Sequence, residues 1–145
     1  MIRFFTALIA LSLLSSFNSL AQCVEGNCFE GVGTFRFENG DSFNGQWRQG
    51  KAQGYGTYEF VNGDVYKGSM LNGKMEGRGT YTFANGDKYI GGWKAGKMEG
   101  RGHFHWNLPG DLMSNAKYEG NFKAGQPVNF QVKETAMPAD PPKMK

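Results

Sequence analysis

The fold of this chain is predicted by the segment GYGTYEFVNGDVYKGSMLNGKME at residues 54–76. The segment recurs every 23 residues, as GVGTFRFENGDSFNGQWRQGKAQ at 31–53 and as GRGTYTFANGDKYIGGWKAGKME at 77–99. An imperfect fourth copy begins at Gly100. A fixed period of this length is typical of repeat architectures in which every copy contributes one structural unit.

Each copy consists of two runs in which side chains alternate with period two. In the first copy, Gly33, Phe35 and Phe37 share one parity, and the residues between them are mostly polar. This period indicates half-buried β-strands and not helices. An Asn-Gly pair, Asn39-Gly40 in this copy, separates the two runs and predicts a hairpin.

The loop of this hairpin must contain an odd number of residues. A two-residue loop would pair Phe37 with Ser42, although residues paired across two strands must share a face. We therefore predict a three-residue loop at 38–40 with a left-handed glycine in a bulge. The structural glycines of the three complete copies are Gly40, Gly63 and Gly86.

The hairpins are joined by a second connection, which reads as five residues with a glycine at each end (50–54, 73–77 and 96–100). Because all connections are short, consecutive strands are expected to be neighbours. The predicted fold is all-β, an elongated, twisted antiparallel meander of stacked hairpins with about eight strands and about four 23-residue repeats.

One face of this sheet is predicted to be aromatic. Glycines on the same face leave slots in which neighbouring rings can lie flat. The rings either form the core by stacking on each other or also offer a groove to a peptide, a second copy or a ligand. The predicted aromatic face comprises Phe35, Phe43, Trp47, Tyr58, Tyr66, Tyr81, Tyr89, Trp93, Phe104, Trp106, Tyr118 and Phe122.

The charges are nearly balanced, with 16 Lys and Arg against 13 Asp and Glu, so nucleic acid is not an expected partner. Aspartates of the Asn-Gly-Asp loops follow one long edge of the predicted sheet. The opposite edge is predicted to be basic. Its cations either belong to the turns and keep the protein soluble or bind anionic lipid head groups. The basic edge comprises Lys51, Lys74, Arg78, Lys97 and Arg101.

The two ends of the chain differ from the repeats. Residues 1–21 read as a signal peptide, residues 22–30 as a cysteine-containing cap, 31–130 as the repeat domain and 131–145 as a disordered tail. The expected location is therefore periplasmic or secreted. Two nearby cysteines in an oxidising compartment favour a disulfide between Cys23 and Cys28. The alternative is lipidation of Cys23, which would anchor the protein to a membrane.

The fourth copy departs from the pattern at residues 108–116, where a longer segment replaces the Asn-Gly loop. This segment is either a tolerated insertion or a contact loop.

The segment YIGGWKAGKMEGRG at residues 89–102 resembles the MORN-repeat family. Residues 43–56 match the same pattern with Phe for Tyr, and residues 66–79 depart from it at Met70, where Trp is usual. The resemblance covers about residues 31–125 and implies an elongated sheet of stacked hairpins. It also implies roles in scaffolding, dimerisation and attachment to membranes or phospholipids.

The sequence gives little support for a catalytic function. It offers no Ser/His/Asp set, no plausible Cys–His pair and no carboxylate pair outside the repeat, so no enzyme activity, metal or cofactor is expected. The predicted function is an exported scaffold that binds a protein partner or a second copy of itself through the aromatic face and the sheet edges. The alternative is a membrane-surface module that uses the basic edge.

Overall fold

The computed structural model of this protein describes residues 21–107 and 117–129. They form one open antiparallel sheet whose strands follow each other in chain order, which confirms the predicted meander. The described residues contain ten strands where about eight were expected, because short strands flank the repeats at both ends. The strands are β1 (Gln22–Gly26), β2 (Glu30–Arg36), β3 (Ser42–Arg48), β4 (Lys51–Glu59), β5 (Val65–Leu71), β6 (Lys74–Thr82), β7 (Lys88–Lys94), β8 (Lys97–His105), β9 (Lys117–Lys123) and β10 (Gln126–Pro127).

The Asn-Gly loops have the predicted geometry. The Phe37 N–H donates to the Asp41 carbonyl at 2.9 Å, and the Gly40 N–H donates to the Phe37 carbonyl at 3.0 Å. Gly40 has a φ of 92°, in the left-handed region that glycine adopts without strain. The loop therefore has three residues, and Phe35 lies opposite Phe43 on the same face.

The second connection differs from the prediction, because it is a turn of two residues and not a loop of five. In the first copy the turn is Gln49-Gly50, with φ angles of 50° and 70°, and β4 already begins at Lys51. Two successive positive φ angles are the mark of a type I′ turn, whose twist matches that of the flanking strands. Asn72-Gly73 and Ala95-Gly96 repeat this geometry.

Gly54, which looked like the end of a loop, lies inside β4 at a bulge. Trp47 pairs with Ala52, but Gly45 pairs with Gly56, so β4 carries two more residues than β3 between these pairs. Gly54 has a φ of 105°, which explains why a glycine stands at this position. Gly50 therefore belongs to a turn and Gly54 to a bulge, although the sequence suggested that they were the two ends of one loop.

The glycines paired across strands form the slots predicted for the rings. The Phe43 ring lies over the Gly45–Gly56 pair, and a Cβ added at Gly45 would lie 2.6 Å from Phe43 Cζ. Tyr66 and Tyr89 cover the corresponding pairs of the next two copies. Each ring thus packs on bare backbone, which lets one sheet build a core without a second layer.

The N-terminal strand β1 pairs with β2, and Cys23 lies opposite Phe35. Cys23 and Cys28 are joined by a disulfide, with their Cα atoms 5.8 Å apart. All five residues of β1 are exposed, so little burial holds this strand. In the chain-entropy account, closing so short a loop stabilises by roughly 2 kcal/mol.

Successive repeats are joined by side-chain hydrogen bonds at both long edges of the sheet. At one edge, Asp64 Oδ1 accepts the N–H of Ala84 in the next loop at 2.8 Å. At the other edge, Glu76 Oε2 accepts the N–H of Ala95 in the next turn at 2.8 Å. Asp41 and Asp87 make the same bond as Asp64, and Glu30 and Glu99 the same bond as Glu76, which gives the nearest-neighbour coupling of a repeat protein.

Candidate functional site

The aromatic face is the core of this protein. Nine of the twelve predicted residues are buried, with Phe43, Tyr66 and Tyr89 fully inaccessible, and only Phe35, Tyr58 and Tyr118 are partly exposed. Because the rings pack edge-to-face and tilted on one another, most of this face has no free surface to offer a partner. The nine buried side chains have almost no surface left to contact a partner, and the prediction that the aromatic face binds one is corrected for these residues.

Among the described residues, a small apolar recess of about 190 Å³ opens on that face. Tyr58, Phe60 and Met75 line it together with Met70. Met70 occupies the position of Trp47 and Trp93, whose indole N–H groups donate to the carbonyls of Gly33 and Gly79. A methionine has no such donor, so this recess marks a departure from the repeat.

The aspartates of the loops have structural roles. Asp41 Oδ2 accepts the hydroxyl of Tyr58 at 2.9 Å, and Asp64 Oδ2 accepts that of Tyr81 at 2.7 Å. Burial, reinforced by these carboxylates, raises the pKa of both tyrosines above the ordinary value of 10.0. The phenols consequently stay protonated near neutral pH and are poorly suited to proton transfer there.

The three lysines of the predicted basic edge form one row along that edge. Lys51, Lys74 and Lys97 are exposed and begin β4, β6 and β8, each directly after a two-residue turn. They recur at every second strand, about 9.6 Å apart. The neighbouring Glu76 and Glu99 accept backbone N–H groups of the next turns, at 2.8 and 2.9 Å.

The arginines of the predicted basic edge lie elsewhere. Arg78 pairs with Gly92 and Arg101 with Asn121, which places both in mid-strand on the outer face, the side of the sheet opposite the aromatic core. The predicted basic strip is therefore two separate features. Even spacing along the sequence could not reveal this, because the glycine before each arginine looked like the end of a loop and instead lies inside a strand.

Both arginines line a groove of about 540 Å³ on the outer face. Its floor includes the backbone of Gly79 and Gly91, and both cationic and apolar side chains line it. Within the described residues, Arg78 and Lys67 make no ion pair or hydrogen bond through their side chains. We call this feature the outer groove, and its principal side chains are Tyr55, Lys67, Arg78, Ile90, Arg101 and His103.

One carboxylate lies at the end of the outer groove. Glu119 accepts a hydrogen bond from Arg101 at 2.9 Å, and His103 Nδ1 is 3.5 Å from its other oxygen. Arg101, followed by His103, lowers the pKa of Glu119 below its ordinary value. Across residues 21–107 and 117–129, no three His, Cys, Asp or Glu side chains are grouped to hold a metal ion.

The MORN-repeat family profile matches residues 29–42, 43–65, 66–88, 89–107 and 118–129, which together are more than half of the chain. The chain belongs to the MORN-repeat family. A comparison with curated proteins found no match.

MORN repeats are generally non-catalytic modules of protein and membrane-lipid interaction. The matches in this MORN-repeat protein stop at residue 107 and resume at 118. The intervening gap includes residues 108–116, the predicted insertion or contact loop, which lies outside the described residues. No helix in the described ranges is long and apolar enough to cross a membrane.

Sequence reasoning missed Tyr55, Lys67 and Ile90 as members of a site. A signal was nevertheless present in the aligned copies, because the residue between the two glycines of each Gly-x-Gly changes from Val32 and Tyr55 to arginine. Parity already placed this position on the outer face. The sequence did not reveal the bulge, which places this position within a strand and away from the edge of the sheet.

Proposed function

We propose that this MORN-repeat protein is an exported, non-enzymatic scaffold that binds a partner protein on the outer face of its sheet. The observation that carries the proposal is the contrast between the two faces. The aromatic face is occupied by the core, whereas the outer face exposes Val32, Tyr55 and Ile90, and the last two share a groove with Lys67 and Arg78, whose side chains have no partner among the described residues. Exposed apolar side chains beside charged groups are typical of interaction surfaces.

Export is supported by the signal-like residues 1–21 and by the disulfide. Disulfides persist in oxidising compartments, and the Cys23–Cys28 bond begins on an exposed strand that pairs with β2 but buries little surface. A Cys23 sulfur bound to Cys28 has no valence left for a lipid, which favours a periplasmic or secreted protein over a lipoprotein. Mass spectrometry of the exported chain tests this, since an acylated Cys23 would contradict it.

The scaffold proposal is tested by affinity capture from an envelope or secreted fraction with the full exported chain. We expect a stoichiometric protein partner, retained by a Lys51→Gln, Lys74→Gln, Lys97→Gln variant, because the lysine edge is separate from the outer face. Size-exclusion chromatography with light scattering shows whether a second copy is the partner. A strict monomer that captures nothing would contradict the proposal.

The second candidate is a module that binds anionic membranes, which the exposed row of Lys51, Lys74 and Lys97 favours. Each cation near an anionic surface contributes about 1 kcal/mol, so three give weak, salt-sensitive binding. Flotation with vesicles containing anionic lipid should then bring the wild-type protein up at low salt but not the triple lysine variant. Equal flotation of both proteins, or none, would rule out this edge.

A further inference from the structure

The second position of the Gly-x-Gly motif forms a graded column along the outer face. Its members are Val32, Tyr55, Arg78 and Arg101, on β2, β4, β6 and β8. Val32 and Tyr55 are 64% and 63% exposed, and the Arg101 side chain is 77% exposed. The glycines around this position repeat while its own identity changes, so the fold leaves this column free to define a partner.

The column is apolar at one end and cationic at the other. Lys67 and Ile90 lie on the strands between its last three members, within the outer groove. Lys67 and Arg78 have no partner among the described residues, and Arg101 shares the one carboxylate, Glu119. The groove therefore carries an excess of positive charge beside an exposed tyrosine.

The spacing of the column fits an extended peptide. Successive members are two strands apart, about 9.6 Å. A polyproline II segment, which is extended, has three residues per turn and rises about 3.1 Å per residue, so every third side chain points the same way, about 9.3 Å apart. A peptide that crosses the strands can thus meet Tyr55, Arg78 and Arg101 with side chains at every third position.

We propose that the outer groove binds an extended acidic segment of a partner protein, with an aromatic residue and two acidic residues spaced by three. The aromatic residue would pack on Tyr55, and each carboxylate would accept paired N–H groups from one guanidinium, a geometry that arginine provides. This inference rests on the proposed scaffold function and names the chemistry of its partner.

Charge complementarity and shape favour a peptide over other anions. A flat membrane surface would meet the lysines at the turns before it reached a recess in mid-sheet. A nucleic acid backbone would place phosphates over Ile90 and close to Glu119, which offer them no donor. A peptide can place apolar side chains on Ile90 and Tyr55 and carboxylates on the arginines.

The test measures fluorescence anisotropy of labelled peptides against the full exported protein. The probes are Trp-Ser-Gly-Glu-Ser-Gly-Glu and its reversed sequence, because the groove does not define the chain direction. The control, Trp-Glu-Glu-Ser-Gly-Ser-Gly, has the same composition but the wrong spacing. We expect one spaced probe to bind more tightly than the control, and equal binding would overturn the proposal as unspecific attraction.

Variants of the protein locate the site. Arg78→Gln and Arg101→Gln should each weaken binding of the spaced probe by about fivefold, the scale of an exposed charge pair. Tyr55→Ala should weaken it only while the probe carries its tryptophan. The matched control is Lys88→Gln, which removes an exposed charge of β7 outside the groove and should leave binding unchanged.

Two further outcomes separate this inference from the scaffold function. If a dT10 oligonucleotide displaces the probe and binds more tightly, the groove is a nucleic acid site and the proposal is overturned. If an Arg78→Gln, Arg101→Gln double variant captures the same partner as the wild type, the scaffold stands and the groove is not its site. If the wild type captures nothing, the scaffold function itself fails.

Discussion

A single residue type, glycine, decides how this protein buries its aromatic rings. The rings of Phe43, Tyr66 and Tyr89 lie on paired glycines, and the hydroxyls of the two tyrosines donate to the carbonyls of Ser69 and Gly92 at 2.8 and 3.0 Å. The parity of glycine and aromatic residues was sufficient to predict this packing. The hydroxyl bonds could not be predicted, because the accepting carbonyls lie opposite the bulges of β6 and β8, which the sequence did not reveal.

For a single residue, we predict that Gly79→Ala destabilises the protein because the added methyl group overlaps the side chain of Tyr66. The three atoms nearest to an added Cβ all belong to this ring, with Cζ at 2.6 Å. Overpacking of this kind costs about 1–3 kcal/mol, which chemical denaturation would measure.

The control for this prediction is the same substitution in a Tyr66→Leu background, where the ring is absent. The cost of Gly79→Ala should then shrink. An equal cost in both backgrounds would show that the backbone, and not the ring, requires glycine at this position.

The two connections of each hairpin were not equally predictable. The Asn39-Gly40 loop followed from its residue types and from the requirement that paired residues share a face. The Gln49-Gly50 turn did not, because the left-handed residue before the glycine is Gln49, Asn72, Ala95 or Ala124 in successive copies. Only Asn72-Gly73 carries the favoured sequence of such a turn.

This variation in the turns predicts opposite effects for two substitutions. Ala95 has a φ of 49°, a conformation that costs alanine more than asparagine. Ala95→Asn should therefore stabilise the protein by about 0.5–1 kcal/mol, and Asn72→Ala should destabilise it by a similar amount. Thermal and urea unfolding would measure both variants, and shifts of the same sign would contradict this account of the turns.

At the largest scale, the described residues form a sheet with one layer, whose core consists largely of aromatic rings. Burial is the main cause of the raised pKa values of Tyr58, Tyr66, Tyr81 and Tyr89, and it raises that of Tyr89 to about 12. A group whose pKa is higher in the folded state stabilises the fold fully below its unfolded pKa, here 10.0. That stability is lost as the pH rises from this value through the folded pKa.

We therefore predict that the free energy of unfolding declines above about pH 10. Urea denaturation at a series of alkaline pH values would measure the decline. A Tyr66→Phe, Tyr89→Phe variant has fewer buried phenols to ionise, so its stability should fall less steeply. Parallel pH profiles for the two proteins would show that the alkaline loss has another cause.

The hydrogen bonds that join each turn to the next have a consequence for how such a chain can evolve. Asp41 and Asp87 hold the following copy in the same way as Asp64, and Glu99 in the same way as Glu76, so similar contacts repeat along the sheet. Duplication of one 23-residue copy would add two strands without changing the register of the others. The outer groove would then act as a molecular ruler, lengthened by about 9.6 Å, or three residues of an extended ligand, with every duplication.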